Sequence, residues 1–277
     1  MKLTLGFSPC PNDTFIFEAM VHGRIDTEGL DFDWFLADVG ELNSRAVEGS
    51  VDITKLSYYA YALAAHHYLI LDSGSALGRG NGPLVVSKRR IWPDELNEAL
   101  IAIPGENTTA NLLFTIFWPE ARRKREYLFS DIPEAILTGE VDAGVIIHET
   151  RFTYQAMGLL RVADTGEEWE KLTGGLPLPL GGIAVSRRLD HDTAKKVNRC
   201  VRRSIEYAFA NPGHSAAFVA ENARETEASV TAEHIRLYVN SYSLSLGEEG
   251  REAVERLLAL ARQRKLTGSL PDTIFLY

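Results

Sequence analysis

The alternation of apolar and polar positions opens with a short apolar run, LTLGF. A turn-rich SPCPNDT and a second apolar stretch, FIFEAM, follow. Apolar runs of this length bounded by turn residues predict a strand, then a helix whose start is capped by Asn12 or Asp13. The same order returns at ALIAIPGENTTANLLFTIF, where a strand leads through a Gly-containing loop to Asn107, Thr108 and Thr109 at the head of an apolar helix. DFDWFLA followed by ELNSRAVEGSVDITKLS reads strand, helix, strand. EYLFS followed by IPEAILTGEVDAGVIIHE repeats that order, and Gly49-Ser50-Val51-Asp52 matches Gly139-Glu140-Val141-Asp142.

Each half is thus β-α-β-α-β, which implies right-handed crossovers and a mainly parallel sheet with helices on both faces. SALGRGNGPLVVSKR and LPLPLGGIAVSRRLD are Gly/Pro-rich approaches to short apolar strands ending in basic residues. They are expected to cross between two lobes, so that residues 88–183 form a lobe inserted into one made of residues 1–87 and 184–277. From about Thr193 the apolar spacing is helical throughout, which predicts a C-terminal segment wrapped on the first lobe. The fold class expected is α/β, two-lobed and periplasmic-binding-protein-like (type II), with two mainly parallel sheets joined by two crossover strands. Ligands of such a fold sit at the carboxyl ends of the strands, in a cleft between the lobes. Cytoplasmic enzymes are built on the same frame, so fold alone does not choose between receptor and catalyst.

Composition narrows the partners. The 277 residues carry a formal net charge of −9, which disfavours nucleic acid or an anionic membrane surface as the main partner. An anionic small-molecule ligand must then be held locally, by helix N-termini and a few side chains. Cys10 and Cys200 form neither a disulfide framework nor a metal-ligand spacing. No stretch approaches the roughly 20 apolar residues that span a bilayer, and the opening MKLTLGFSPCPND is too broken for a secretory segment. The expectation is a reduced, cytoplasmic protein, monomer or homodimer.

Each chemically interesting position has an ordinary alternative. GRGNGP lacks the lysine of a phosphate loop and precedes a strand instead of following one, so its glycines are read as serving backbone conformation. Thr108 and Thr109 either cap a helix or, with the N–H groups there, hold an anion. Lys55 and Ser57 end VDITKLS on one side of the strand, opposite Leu56. A solvated strand end and a ligand contact are both open for them; the second is favoured because burying an unpaired ammonium is costly. Cys10, between two prolines, reads as a small buried thiol rather than a nucleophile. Asn12 and Asp13 read first as caps and second as ligand contacts. His148 ends GVIIH, one step past the place of Ser57 in the other half. It is a structural histidine closing a buried strand, or a general base able to titrate near neutrality. Glu149 and Arg151 orient it, bind an acid, or form a surface ion pair. The other six histidines, His66 and His67 among them, show no comparable polar convergence in sequence.

The segments FSPCPNDTFIF, TKLSYYAY, ALGRGNGPLVV, NTTANLL, GVIIHETRFTY, LPLPLGGIAV and YVNSYSLSLGEEG run in order over nearly the whole chain. Together they resemble the 1,4-dihydroxy-6-naphthoate synthases of the futalosine route to menaquinone. The chorismate dehydratases of that route share the fold, but HETRFTY and SPCPNDTF look like the naphthoate synthase side of the divide. The resemblance implies an enzyme that takes cyclic dehypoxanthine futalosine to 1,4-dihydroxy-6-naphthoate, without a metal or organic cofactor. It also implies that His148 is the catalytic base and that Lys55, Leu56, Ser57, Thr108 and Thr109 contact the substrate.

Overall fold

The computed structural model describes residues 1–224 and 227–277. They form two compact units, Met1–Gly78 with Pro179–Tyr277, and Arg79–Leu178. From the N-terminus come β1 (Lys2–Phe7), α1 (Pro11–Val21), β2 (Asp31–Leu36), α2 (Val39–Val47), β3 (Ile53–Ser57), α3 (Tyr58–Ala64), β4 (Tyr68–Ile70) and β5 (Ala76–Gly78). The second unit holds β6 (Leu84–Ser87), β7 (Ile101–Ile103), α4 (Thr109–Phe117), β8 (Lys124–Glu126), α5 (Ile132–Leu137), β9 (Ala143–Ile146), α6 (Thr150–Thr153), β10 (Leu160–Asp164) and α7 (Thr165–Thr173). The chain then returns through β11 (Leu178–Ser186) to α8 (His191–Ala210), α9 (Ala216–Asn222), α10 (Ala228–Tyr238), α11 (Ser241–Leu244) and α12 (Gly247–Gln263).

The first sheet runs β2-β1-β3-β11-β4, with β5 paired to β11, and the second runs β10-β6-β9-β7-β8. β1 is parallel to β2 and β3, as β7 is to β8 and β9. β11 is antiparallel to β3 and β4, and β6 to β9 and β10. Each sheet is therefore mixed, where a mainly parallel one was expected. A parallel neighbour needs a crossover, usually helical, and neither β6 nor β11 is delivered by one within its own unit. Residues 84–87, expected in the first lobe, pair with β9 and β10 and so belong to the second unit. Residues 179–183, expected in the second lobe, lie in β11 of the first sheet. The strand expected at EYLFS begins earlier, as β8, where Ile101 to Ile103 offer it a parallel partner.

The echo between the halves is physical. Gly49 and Gly139 both take left-handed φ values, +69° and +80°. Three residues on, the Asp52 carboxylate accepts from the Thr4 N–H at 3.0 Å and the Thr4 hydroxyl at 2.9 Å. The Asp142 carboxylate likewise accepts from the Leu100 N–H at 2.8 Å. One aspartate per unit thus ties the entry of the third strand to the start of the first. In the second sheet Val85, Ile101 and Val145 pack on one face while Val86, Ala102 and Ile146 pack on the other. Buried on both faces, its inner strands β6, β7 and β9 read as continuous apolar runs. α8 lays Val197, Cys200, Val201 and Ile205 against the first sheet's core. Burial pushes the Cys200 thiol up to about 11, which removes it from thiolate chemistry at neutral pH. Among the described residues, no helix is long and apolar enough to cross a membrane.

Candidate functional site

In the first unit, the ends of the parallel neighbours β1 and β3 carry the polar groups. α1 begins at Pro11 with Cys10 as N-cap and no side-chain cap bond, so neither Asn12 nor Asp13 caps it. Pro11 supplies the preset φ of a first helical turn, and that frees both polar residues, now inside the first turn, for tertiary contacts. Asp13, 1% exposed, accepts from the Lys55 ammonium at 2.7 Å, the Asn12 amide at 2.7 Å and the Ser8 hydroxyl at 2.6 Å. Asn12 in turn faces Nε2 of His234 on α10, 2.8 Å from its Oδ1. Ser57 is held by a different helix: Asn43 of α2 accepts from the Ser57 N–H at 2.9 Å and donates to its hydroxyl at 3.1 Å. Leu56 points to the opposite side of β3 and is buried.

Lys55 is therefore not a solvated strand end. It is a buried ammonium with its counter-charge in place, and a buried charge has to be paired. Two members of this network have no local signal. Asn43 lies inside a helix-forming segment, and His234 lies on a C-terminal helix more than 200 positions from Asn12. The lack of polar convergence around His234 in the sequence is corrected by the fold. The histidine is fully buried, with its ring 4.6 Å from that of Tyr238.

In the second unit, the ends of the parallel neighbours β7 and β9 carry the rest. Thr108 is the N-cap of α4: its hydroxyl accepts from the Asn111 N–H at 3.2 Å and donates to the Gly105 carbonyl at 2.8 Å. The capping alternative thus describes its side chain, and Thr109 follows, buried, as the first helical residue. Lys124 of β8 braces the same turn through Asn111 and Thr115, and desolvation holds its ammonium below the usual lysine range. His148 lies two residues past β9, half-buried, with its ring edge-on to Phe129 at 4.8 Å. Its φ is +56°, a left-handed value that few non-glycine residues adopt. Backbone held in such a region clusters at functional sites.

Arg151 does not form the flanking ion pair with Glu149. Its guanidinium reaches Asp164 at 3.0 Å and the Gly82 carbonyl, while Asp164 also caps α7 through the Gly166 N–H at 2.8 Å. GRGNGP is built into this joint: Gly80 sits at φ +66°, and a Cβ on Gly82 would lie 2.3 Å from the Gly166 nitrogen. Gly82→Ala is expected to destabilise the protein by about 1–3 kcal/mol, because backbone cannot yield to the added methyl. A thermal melt of the variant matching wild type would contradict this. A pocket of the same unit, lined by Phe117, Trp118, Arg161, Asp164 and Glu167, holds none of the residues singled out in sequence. Among the described residues, no group of three or more His, Cys, Asp or Glu is gathered as for a metal ion.

The match to known proteins extends over nearly the full length. A family model described as menaquinone biosynthesis matches residues 3–263. A 1,4-dihydroxy-6-naphthoate synthase of Thermus thermophilus is 45% identical over 274 residues, covering 99% of this chain and 98% of its own. One from Streptomyces coelicolor is 39% identical over 279 residues, covering 98% and 97%. A crystal structure of an Archaeoglobus fulgidus protein superposes with a TM-score of 0.90 at 35% identity, covering 96% of this chain and 98% of that one. The Escherichia coli periplasmic aliphatic sulphonate binding protein superposes with a TM-score of 0.63 at 12% identity, covering 98% and 90%, a likeness of fold alone. The chain belongs to the menaquinone-biosynthesis family, among the lyases that are its 1,4-dihydroxy-6-naphthoate synthases.

Proposed function

We propose that the enzyme converts cyclic dehypoxanthine futalosine to 1,4-dihydroxy-6-naphthoate, with His148 as general base in an interlobe cleft. The observation that carries this reading is His148 itself. It is a half-buried imidazole braced by Phe129 and held at positive φ just beyond a strand's carboxyl end. In this scheme the neutral imidazole takes a proton from the cyclised sugar portion. Ring opening with carbon–carbon cleavage then releases the sugar remnant, and aromatisation drives the sequence forward. The aromatic carboxylate binds at the start of α4. The Thr108 hydroxyl is already engaged there with Asn111 and Gly105, so the anion is met by the N–H groups of the first turn and by Thr109. Lys55 and Ser57 contact the sugar-derived oxygens, and Leu56, whose side chain faces the other side of β3, meets the substrate through its backbone.

Chorismate and the cyclic futalosine derivative, incubated side by side with purified enzyme and followed by mass spectrometry, test the assignment. Dihydroxynaphthoate formed from the cyclic substrate alone is expected. Consumption of chorismate would assign the sister dehydration, and return of the cyclic compound unchanged would point to a receptor.

A further inference from the structure

We propose that His234 is a positioning residue for the Lys55 ammonium, acting through Asn12 and Asp13. The inference rests on the reading that Lys55 contacts the substrate. The order of donors and acceptors along the chain of contacts is forced. Asp13 Oδ1 receives the Lys55 ammonium and the Asn12 amide, both at 2.7 Å, while Oδ2 receives the Ser8 hydroxyl at 2.6 Å and the Ser8 N–H at 3.2 Å. An ionised carboxylate only accepts, so Asn12 must turn its NH₂ toward Asp13 and its carbonyl oxygen toward His234. The imidazole Nε2, 2.8 Å from that oxygen, must then be the protonated nitrogen that donates. His234 therefore supplies the donor for the buried Asn12 carbonyl oxygen that this orientation turns away from Asp13. Without that donor the buried Asn12 carbonyl has no partner here, and Asn12 shifts from the position at which it donates to Asp13, the residue that holds Lys55.

Burial makes each link rigid. His234 is 0% exposed, Asp13 1%, Ser8 4%, Asn12 6% and Lys55 7%. In so dry a network a lost donor is not replaced by water, and the members move together. α10 packs on α1, so the C-terminal helices take part in setting the position of a charge at the end of β3.

His234→Leu removes the donor; His234→Gln keeps an N–H at similar reach. On the full-length enzyme with cyclic substrate, His234→Leu is expected to raise KM by about 10-fold, the scale of one coupled contact, with kcat within about two-fold of wild type. His234→Gln should restore KM to within about three-fold of wild type. In a Lys55→Met background, His234→Leu should change kcat/KM by less than about two-fold, because the group it positions is gone. An unchanged KM in His234→Leu, a failure of Gln to rescue, or a full-sized effect persisting without Lys55 would each overturn the inference. If Lys55→Met alone leaves KM at the wild-type value, the substrate-contact reading fails first, and the inference with it. Imidazole ¹⁵N spectra of the wild-type enzyme need no variant: His234 protonated at Nδ1 alone, with Nε2 bare, would also refute it.

Discussion

His148→Asn is expected to lower kcat by at least about 10²–10⁴, the usual contribution of one positioned general base, with the fold intact. Asparagine is the informative replacement. His148 has a φ of +56°, and asparagine is one of the few other residues that tolerates the left-handed region, through local hydrogen bonding of its short polar side chain. The variant therefore keeps the backbone geometry beyond β9 while losing the group that can accept a proton near neutral pH. Alanine would mix loss of the base with backbone strain. Steady-state turnover of the cyclic substrate, beside a melting curve and a product-binding titration, separates the effects. Product affinity and melting temperature should stay near wild type while kcat falls. Turnover close to wild type in purified His148→Asn would remove the histidine from the chemistry.

Lys55→Met is expected to act on both stability and binding. The Lys55–Asp13 pair lies at 2.7 Å with side-chain exposures of 9% and 2%, and removing one partner leaves a buried carboxylate without its counter-charge. Such a loss typically costs about 3–5 kcal/mol. The double substitution Lys55→Met with Asp13→Asn removes the stranded charge as well, so it should be more stable than Lys55→Met alone. On the substrate side, losing a charged hydrogen bond of about 1.5–3 kcal/mol raises KM by about 10- to 100-fold. Denaturant melts of the two single variants and the double give the coupling energy directly. Additive effects would show that the ion pair carries no stability of its own. An unchanged KM would place Lys55 outside the binding surface.

The β-α-β-α-β plan of each half came from local patterns: an apolar run, a turn, an amphipathic stretch. In the second sheet β6, β7 and β9 are continuous apolar segments covered on both faces, so local pattern suffices to mark them. Positions at strand ends were readable too. Lys55, Ser57, Thr108 and His148 all fall just at or beyond the carboxyl ends of β3, β7 and β9, or at the helix start that follows. What those side chains touch was not readable. The cap expected of Asn12 or Asp13 is absent because Pro11 starts the helix without one. Arg151 ignores adjacent Glu149 for Asp164, which a bulged β10 brings alongside β6 and the GRGNGP turn.

Sequence by itself determined that this is a two-unit α/β protein of the menaquinone-biosynthesis family, and which strand ends carry its polar groups. The two-unit plan and the strand ends depend on hydrophobic period and on residues close together in the chain, while the family rests on the resemblance of segments such as SPCPNDTF and HETRFTY to its members. Tertiary structure decided the strand pairings that make both sheets mixed, the buried partner of Lys55, and the recruitment of Asn43 and His234. Pairing partners and buried counter-charges are chosen by what lies across a sheet or on a helix far away in sequence. Segments such as ELNSRAV or HIRLYVN carry no local trace of that choice. His148 stands between the two cases: its place at the strand end was legible, while its positive φ and its packing on Phe129 came only with the fold.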